Sequence, residues 1–385
     1  MSLQISSGID SFLLQKESYR HLRLALVTNN AAITSTGALS RVALLKNQFI
    51  LVRLFSPEHG ITVKGEDGVL QQNATDIITG LPVISLYSEK LGPAEIDLLD
   101  VDLVLFDIPD VGCRFYTYLW TMTHVMEACA RNNKPFILLD RPNPIGALLE
   151  NAEGPMLDEL HCSSFIGRWN IPLKHCCTLG ELALYFAVTR LPALQIEVVK
   201  AINYRRHHTG FHDFEFAPTS PAIRNIHTAM LYPGTGLWEG LQVNEGRGSD
   251  KPFEQFGAPW IQEEELSGFL RSRLQHVQVT PVHYTPWSGI YANEPCNGVA
   301  FRITKPNSFK AVSTGISILQ TIIQRYPEMV KERLYITNAN PTGEKHLDKL
   351  LGIANAFEKL KQEDSIDIDV ADDWHHMMQP YLLYT

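Results

Sequence analysis

The sequence predicts an α/β protein with a Rossmann-like, mostly parallel sheet covered by helices on both faces, followed by a smaller α+β domain. Two observations support this prediction. Short, almost continuously apolar segments alternate with helix-like segments over residues 1–150, as in sheets buried on both faces. A chain of 385 residues also exceeds one typical core, so we expect two domains, 1–225 and 226–385.

The first domain contains the regular alternation. Between the fourth and fifth predicted strands, Leu119, Met122 and Cys129 recur at helical spacing. Thr178 and Glu181 fit a capping box, which predicts that a helix starts there. The predicted strands are 22–28, 49–55, 83–87, 102–108, 135–140 and 194–199, and the predicted helices include 39–46 and 178–190.

The second half of the chain differs from the first in composition and in apolar periodicity. Proline, glycine and aromatic residues dominate residues 204–260, where periodicity fades, so we expect long ordered loops. Apolar spacing beyond them predicts helices at 262–274, 313–326 and 354–362 and a strand at 298–303.

Composition excludes several classes of protein. The net charge of −9 argues against a nucleic-acid-binding protein, which would carry a basic face. The six cysteines form no C-x-x-C pair, so we expect reduced, mostly buried thiols rather than a zinc or redox site. No segment has the length of a membrane span, and no signal peptide is visible. We therefore expect a cytoplasmic location for the chain as written, and a periplasmic or secreted one if an export signal was removed.

Polar residues directly follow the predicted strands, where open α/β sheets bind their ligands. Glu58 and His59 follow the second strand in the turn SPEHG at 56–60, and a carboxylate beside an imidazole suits acid–base chemistry. In the alternative interpretation, Glu58 caps a helix and His59 lies on the surface.

The segment 107–118 after the fourth strand contains two acids, one arginine and two tyrosines. Arg114 can bind a carboxylate through two parallel hydrogen bonds, and Tyr116 or Tyr118 can donate to a ligand hydroxyl. Alternatively, Asp110 and Arg114 pair to hold the loop, and Tyr118 belongs to a helix core.

A third loop follows the fifth strand, in the sequence DRPNP at 140–144. Its two prolines make a rigid turn. Asp140 and Arg141 form either a structural ion pair or a ligand contact, and Asn143 is suited to binding hydroxyl or acetamido groups.

The loop NEGRGS at 244–249 is a fourth candidate, with Asn244 and Glu245 preceding Arg247. Glycines on both sides of Arg247 allow the backbone to approach a ligand closely. Trp260 either stacks on a sugar face or packs in the core. Neither glycine-rich nucleotide fingerprint is present, and the scattered histidines show no metal-binding spacing, so we expect no cofactor and no metal.

Taken together, these segments resemble the NamZ-type exo-β-N-acetylmuramidases, a bacterial family formerly described as a domain of unknown function. The resemblance covers nearly the whole chain, and it implies that the active-site cleft lies between the two domains. Its main blocks are FSPEHGI at 55–61, TGLPVISLY at 79–87, VLFDIPDVGCRFYTYLWTM at 104–122, LDRPNPIG at 139–146, TLGELA at 178–183, YPGTGLWEG at 232–240 and NEGRGSDKPFEQFGAPW at 244–260.

The resemblance implies hydrolysis of a terminal β-linked N-acetylmuramic acid from a peptidoglycan fragment, with a small saccharide as the partner. Glu58 is then the general acid, its pKa raised by partial burial, and His59 orients it or shares its proton. Glu245 is the second carboxylate or stabilises the oxocarbenium-like transition state, unless the acetamido group of the substrate is the nucleophile. Tyr116 or Tyr118 supports the anomeric charge.

Substrate recognition follows from the same resemblance. Arg114 or Arg247 binds the lactyl carboxylate that distinguishes muramic acid from glucosamine. The full set of expected substrate-binding residues is Asp110, Arg114, Tyr118, Asp140, Arg141, Asn143, Asn244, Arg247 and Trp260.

The chain departs from the family pattern in three places. Ala222 stands where the family has asparagine, Asn30 stands where it has histidine, and Cys176–Cys177 replace glycine and methionine. The loss of a polar side chain at Ala222 supports an alternative, a non-catalytic muropeptide- or sugar-binding protein on the same fold. A nucleotide-dependent transferase is a third interpretation, which the missing glycine fingerprint opposes. The sequence contains no signal for an oligomeric state.

Overall fold

The computed structural model describes residues 4–337 and 340–385. The chain forms a mixed α/β structure, and the predicted fold class is confirmed. The strands are β1 (Arg23–Thr28), β2 (Ile50–Ser56), β3 (Ala74–Thr75), β4 (Pro82–Ser85), β5 (Leu103–Asp107), β6 (Phe136–Leu139), β7 (Glu153–Met156), β8 (Pro172–Lys174), β9 (Ile196–Val199), β10 (Gln255–Ala258), β11 (Val277–Tyr284) and β12 (Cys296–Ile303).

The helices lie mostly between these strands and after them. They are α1 (Gly8–Leu13), α2 (Lys16–Tyr19), α3 (Ser40–Lys46), α4 (Thr117–Arg131), α5 (Glu159–Cys162), α6 (Leu179–Thr189), α7 (Ile226–Thr235), α8 (Glu263–Arg273), α9 (Ala311–Arg325), α10 (His346–Leu351), α11 (Ala356–Lys361) and α12 (Ala371–Met378). Within the described residues, no helix has both the length and the apolar content needed to cross a membrane.

The central sheet has the order β3-β4-β2-β1-β5-β6-β9. All its neighbouring strands are parallel except the short pair β3 and β4. By rank along the chain, the parallel strands follow the Rossmann order 3-2-1-4-5-6. The ends of β2 and β5 therefore point to the same edge of the sheet, and the loops after them can meet there.

Side chains that alternate along each strand point to the two faces of the sheet, and both faces are buried under apolar clusters. On β1, Leu24 and Leu26 belong to the apolar cluster that includes α1 and α3. Ala25 and Val27 belong to the cluster that includes α4 and α6. The capping box predicted at the start of α6 is present, with the Thr178 hydroxyl accepting from the backbone N–H of Glu181. The six cysteines are buried and unpaired with one another, as expected.

The second part of the chain contains the antiparallel sheet β10-β12-β11, packed against α8. The expectation of loops throughout 204–260 is wrong in part, because α7, a 3₁₀ turn at Gly236–Gly240 and β10 lie there. Pro233 and Gly234 lie inside α7. Gly234 approaches Gly315 of α9 so closely that a Cβ at Gly315 would lie 2.4 Å from the Gly234 carbonyl oxygen. These residues therefore mark a close helix crossing rather than a loop.

Candidate active site

A cleft of about 430 Å³ lies where loops from both parts of the chain meet. This volume is within the range of small-molecule sites. The loops after β2 and β5 contribute to one wall. The loop after the 3₁₀ turn, the segment before α10 and the loop at 287–289 contribute to the other. The polar residues that line it include Glu58, His59, Asp67, Tyr116, Thr117, Glu239, Glu245, Arg247, Arg333 and Tyr335.

Glu58 lies at the end of β2 and is only 3% exposed. Its Oε1 accepts the backbone N–H of Gly68 at 2.9 Å, and its Oε2 accepts the Thr117 hydroxyl at 2.7 Å. Burial and the neighbouring Asp67 raise the pKa of Glu58, although His59 and these two hydrogen bonds oppose the rise. No helix follows Glu58 directly, so it is not a helix cap.

Asp67 is the carboxylate beside Glu58, and its side chain is 32% exposed. Loss of water in the cleft raises its pKa, but Arg247, His59 and a hydrogen bond from the Tyr335 hydroxyl outweigh this effect and lower the pKa overall. The two neighbouring carboxyl groups are thus shifted in opposite directions, which is the pattern of an acid paired with an ionised partner.

His59 is held in a left-handed backbone conformation, with φ of 66°. Such a conformation is uncommon for a residue with a side chain and often occurs at functional sites. The ring Nδ1 lies 2.8 Å from the carbonyl oxygen of Gly65, which can only accept a hydrogen bond. In the neutral ring, Nδ1 therefore carries the proton and Nε2 is an acceptor. His59 is 6% exposed, contrary to the alternative of a surface residue.

Among the described residues, Glu58, His59 and Asp67 form a group that could hold a metal ion, because one possible ligand atom of each lies within 4.8 Å of the others. Both oxygens of Glu58 already accept hydrogen bonds, and the sequence contains no metal-binding spacing around them. We therefore interpret the group as acid–base machinery.

Arg247 lies at the centre of a group of carboxylates. Its guanidinium donates to Glu239 and to Glu245, the latter at 3.0 Å, and lies 3.5 Å from Asp67. The second oxygen of Glu245 is 3.2 Å from Arg333. Burial raises the pKa of Glu239 to about 7, against the opposing effect of Arg247. Glu245 therefore lines the cleft as predicted, but its two oxygens bind arginines.

The two tyrosines of the 107–118 segment have different positions. Tyr116 lines the cleft, and its ring packs edge-on against Tyr118 and Tyr232. Tyr118 is fully buried, and its hydroxyl donates to the carbonyl of Thr219 at 2.7 Å. Tyr118 thus belongs to the helix core, which was the alternative interpretation, and it does not line the cleft where we predicted its substrate contact.

Arg114, for which we also predicted a substrate contact, does not line the cleft. Its side chain is fully buried and donates to the backbone carbonyls of Pro155, Ile171 and Leu350 at 2.7 to 3.0 Å. Burial lowers the pKa of Arg114 to about 10. It does not pair with Asp110 either. The arginine instead links three backbone segments that are distant in sequence, through one hydrogen bond to each.

The residues after β6 also have structural partners. Both oxygens of Asp140 are occupied, by the N–H groups of Arg141 and Gly180 and by the hydroxyls of Thr178 and Tyr384. Arg141 forms its ion pair with Asp107 rather than Asp140. The Asn143 amide donates to the carbonyl of Cys177 and accepts from Ile145. These contacts fix the turn, and the structure places Asp140, Arg141 and Asn143, for which we predicted substrate contacts, outside the cleft.

Three further predicted residues lie outside the cleft. Asp110 accepts from the N–H of Gly112 and, like Arg141, lines a separate cavity of about 200 Å³. Asn244 is fully buried and holds the backbone of the Arg247 loop. Trp260 packs on Tyr326 and donates to the Tyr291 hydroxyl at 3.2 Å.

Sequence reasoning missed several residues of the cleft. Glu239 lies in the block YPGTGLWEG and Thr117 in the run RFYTY, so both were present in motifs already singled out. Asp67 lies between glycines in the sequence GEDG at 65–68, a pattern similar to the glycines around Arg247. For Arg333 and Tyr335 the sequence offered no comparable signal.

Comparison with known proteins agrees with this architecture. A protein from Bacillus subtilis (strain 168) named peptidoglycan beta-N-acetylmuramidase NamZ is 39% identical over 330 residues, covering 84% of this chain and 79% of the relative. Two crystal structures of DUF1343 family proteins from Bacteroides fragilis are similar. One has a TM-score of 0.86 at 31% identity and covers 99% of each chain. The other has a TM-score of 0.74 at 26% identity and covers 100% of this chain and 99% of its own.

The family descriptions match both parts of the chain. The N-terminal region described as exo-beta-N-acetylmuramidase NamZ matches residues 24–227, and the C-terminal region of the same description matches residues 230–384. The chain therefore belongs to the NamZ family of exo-β-N-acetylmuramidases.

Proposed function

We propose that this protein is an exo-acting glycosidase that releases terminal β-linked N-acetylmuramic acid from peptidoglycan-derived saccharides. The family and the name of the Bacillus subtilis relative support this activity. The observation that carries the mechanism is the pair of neighbouring carboxyl groups, Glu58 and Asp67, whose pKa values are shifted in opposite directions. In many glycosidases, the carboxyl group with the raised pKa is the general acid and its neighbour with the lower pKa stays ionised.

Glu58 is the general acid of this proposal. Its burial keeps the proton on the carboxyl group, and the hydrogen bonds from Thr117 and Gly68 fix its orientation. It donates this proton to the glycosidic oxygen as the bond to the anomeric carbon breaks. One ring nitrogen of His59 lies within 4.8 Å of a carboxylate oxygen of Glu58 and of one of Asp67. Nε2, the acceptor of the neutral ring, can take up the proton of an incoming water.

Asp67 takes the place that the sequence reasoning gave to Glu245. Its lowered pKa keeps it ionised, so it is suited to stabilise the positive charge that develops at the anomeric centre. Glu245 instead holds Arg247 and Arg333 in position through one ion pair to each.

Arg247 is the proposed partner of the lactyl carboxylate, because Arg114 is enclosed by backbone carbonyls. Its test compares two substrates that differ only in the lactyl group. Arg247→Met should lose more activity on an aryl β-N-acetylmuramide than on the matching glucosaminide. Equal losses on both would show that Arg247 does not bind the lactyl group.

The acid role is tested by Glu58→Gln with two leaving groups. In the muramic acid–glucosamine disaccharide the leaving group is a sugar alcohol, which is a poor leaving group and needs the proton. The 4-nitrophenolate that leaves from an aryl muramide does not need it. We expect a loss of about 10²- to 10⁴-fold in kcat/KM on the disaccharide and a much smaller loss on the nitrophenyl substrate. Glu328→Gln, which changes an exposed carboxylate away from the cleft, is the control. Disaccharide activity of Glu58→Gln near that of the control would refute the role.

A further inference from the structure

Trp287 is an exposed aromatic side chain on the wall of the cleft. Its side chain lines the same cavity as Glu58 and Asp67, yet the residue is 59% exposed. Among the described residues, no aromatic ring or cation stacks on its indole. A large ring left in water at the edge of a binding cleft is typical of a contact that forms with a ligand.

The backbone that carries Trp287 is fixed to the loop at 244–249, which contains Arg247. The N–H of Trp287 donates to the carbonyl of Gly248 at 2.7 Å, directly beside Arg247. The amide of Asn244 binds the carbonyls of both Arg247 and Ile290, at 3.1 and 3.0 Å. Because one side chain holds both loops, the indole has a defined position relative to the ion pairs around Arg247.

Trp260 supports the same loop from behind. Its indole N–H donates to the hydroxyl of Tyr291, and that hydroxyl donates to the carbonyl of Gln242, both at 3.2 Å. Trp260, for which we expected sugar stacking, lies outside the cleft, whereas Trp287 lines it. Since the loop is anchored at both ends, little ordering is needed when a ligand binds.

We propose that Trp287 is the platform on which the sugar of the leaving group stacks, a specificity-determining contact that rests on the proposed exo-muramidase function. Glu58 is 3% exposed at the deep end of the cleft, whereas Trp287 lies at its mouth. An exo-acting enzyme encloses the terminal sugar and leaves the rest of the saccharide toward solvent. The ring at the mouth therefore meets the next amino sugar, whose C–H face packs on an indole.

The test uses two substrates with the same muramic acid and different leaving groups. One is the β-linked muramic acid–glucosamine disaccharide, and the other is β-N-acetylmuramyl fluoride, whose leaving group is too small to stack. Trp287→Ala should lower kcat/KM about tenfold on the disaccharide, mainly through KM, and leave the fluoride unchanged. Trp287→Phe should recover most of the lost disaccharide activity.

Controls separate this proposal from the activity on which it rests. Leu160→Ala removes a side chain that is 84% exposed outside the cleft and should change neither substrate. Wild-type enzyme that releases no muramic acid from either substrate would refute the proposed function. If the wild type is active and Trp287→Ala is unchanged on the disaccharide, or loses equally on both substrates, the leaving-group platform is refuted. A melting temperature close to that of the wild type confirms that the variant is folded.

Discussion

Glu58 and Asp67 place carboxylate oxygens within 4.8 Å of each other, and their surroundings shift the two pKa values in opposite directions. Burial and the charge of Asp67 favour the protonated form of Glu58, whereas Arg247 and Tyr335 favour the ionised form of Asp67. The form active in this scheme has Glu58 protonated and Asp67 ionised. The enzyme therefore loses activity as pH falls through the lowered pKa of Asp67, which becomes protonated. It also loses activity as pH rises through the raised pKa of Glu58, which becomes ionised.

Replacing Asp67 should move the alkaline limb of the pH profile to lower pH. In Asp67→Asn the negative charge that raises the pKa of Glu58 is gone, so Glu58 loses its proton at lower pH than in the wild type. The loss of charge stabilisation should also reduce kcat by about 100-fold or more. The profile of kcat/KM against pH measures both effects. An alkaline limb that stays at the wild-type pH would show that Asp67 does not influence the acid.

Replacing Thr117 should move the same limb in the opposite direction. The Thr117 hydroxyl donates to Oε2 of Glu58 and favours the ionised carboxylate. Thr117→Val keeps the shape of the side chain but removes this donor, so the pKa of Glu58 rises and the alkaline limb moves to higher pH. Thr121→Val on the same helix is the control, because its hydroxyl donates to the carbonyl of Thr117 rather than to a cleft carboxylate. A shift to lower pH in Thr117→Val would contradict the proposed hydrogen bond.

The acid limb is expected to depend on Arg247. This guanidinium is the strongest influence that lowers the pKa of Asp67. In Arg247→Met, Asp67 should take up its proton at higher pH, so activity is lost earlier as pH falls. The pH dependence of kcat/KM on the glucosaminide substrate, which lacks the lactyl group, isolates this effect from substrate recognition. Arg131→Met, at the exposed end of α4, should leave the acid limb in place.

Much of the fold could be predicted because the spacing of apolar residues along the sequence indicates which side of a strand or helix is buried. The strands of the Rossmann-like sheet are short apolar runs, and the capping box of Thr178 and Glu181 marks the start of α6 by local chemistry alone. Helix α7 was missed because Pro233 and Gly234 usually interrupt helices. Their fit in α7 depends on the close approach to Gly315, a long-range contact that composition does not reveal.

Only part of the site could be predicted for a similar reason. Glu58, His59, Tyr116, Glu245 and Arg247 were found because polar residues after parallel strands, or between glycines, tend to face ligands, and all five line the cleft. Residue type alone does not show what a side chain contacts. Arg114 and Asn143 look like ligand contacts in sequence, but the Arg114 guanidinium nitrogens Nη1 and Nη2 and the Asn143 amide donate to backbone carbonyls.

Arg114 should behave as a structural residue, although it is close in sequence to Tyr116 and Thr117, which line the cleft. Arg114→Met would leave the carbonyls of Pro155, Ile171 and Leu350 buried without their donor, at a cost of about 3 kcal/mol or more in the free energy of unfolding. The melting temperature should therefore fall, whereas the ratio of kcat/KM on muramide and glucosaminide substrates in the folded fraction should equal that of the wild type. A selective loss of muramide activity at unchanged melting temperature would instead place Arg114 at the lactyl group. Arg247→Met is the matched comparison, because it should change that ratio.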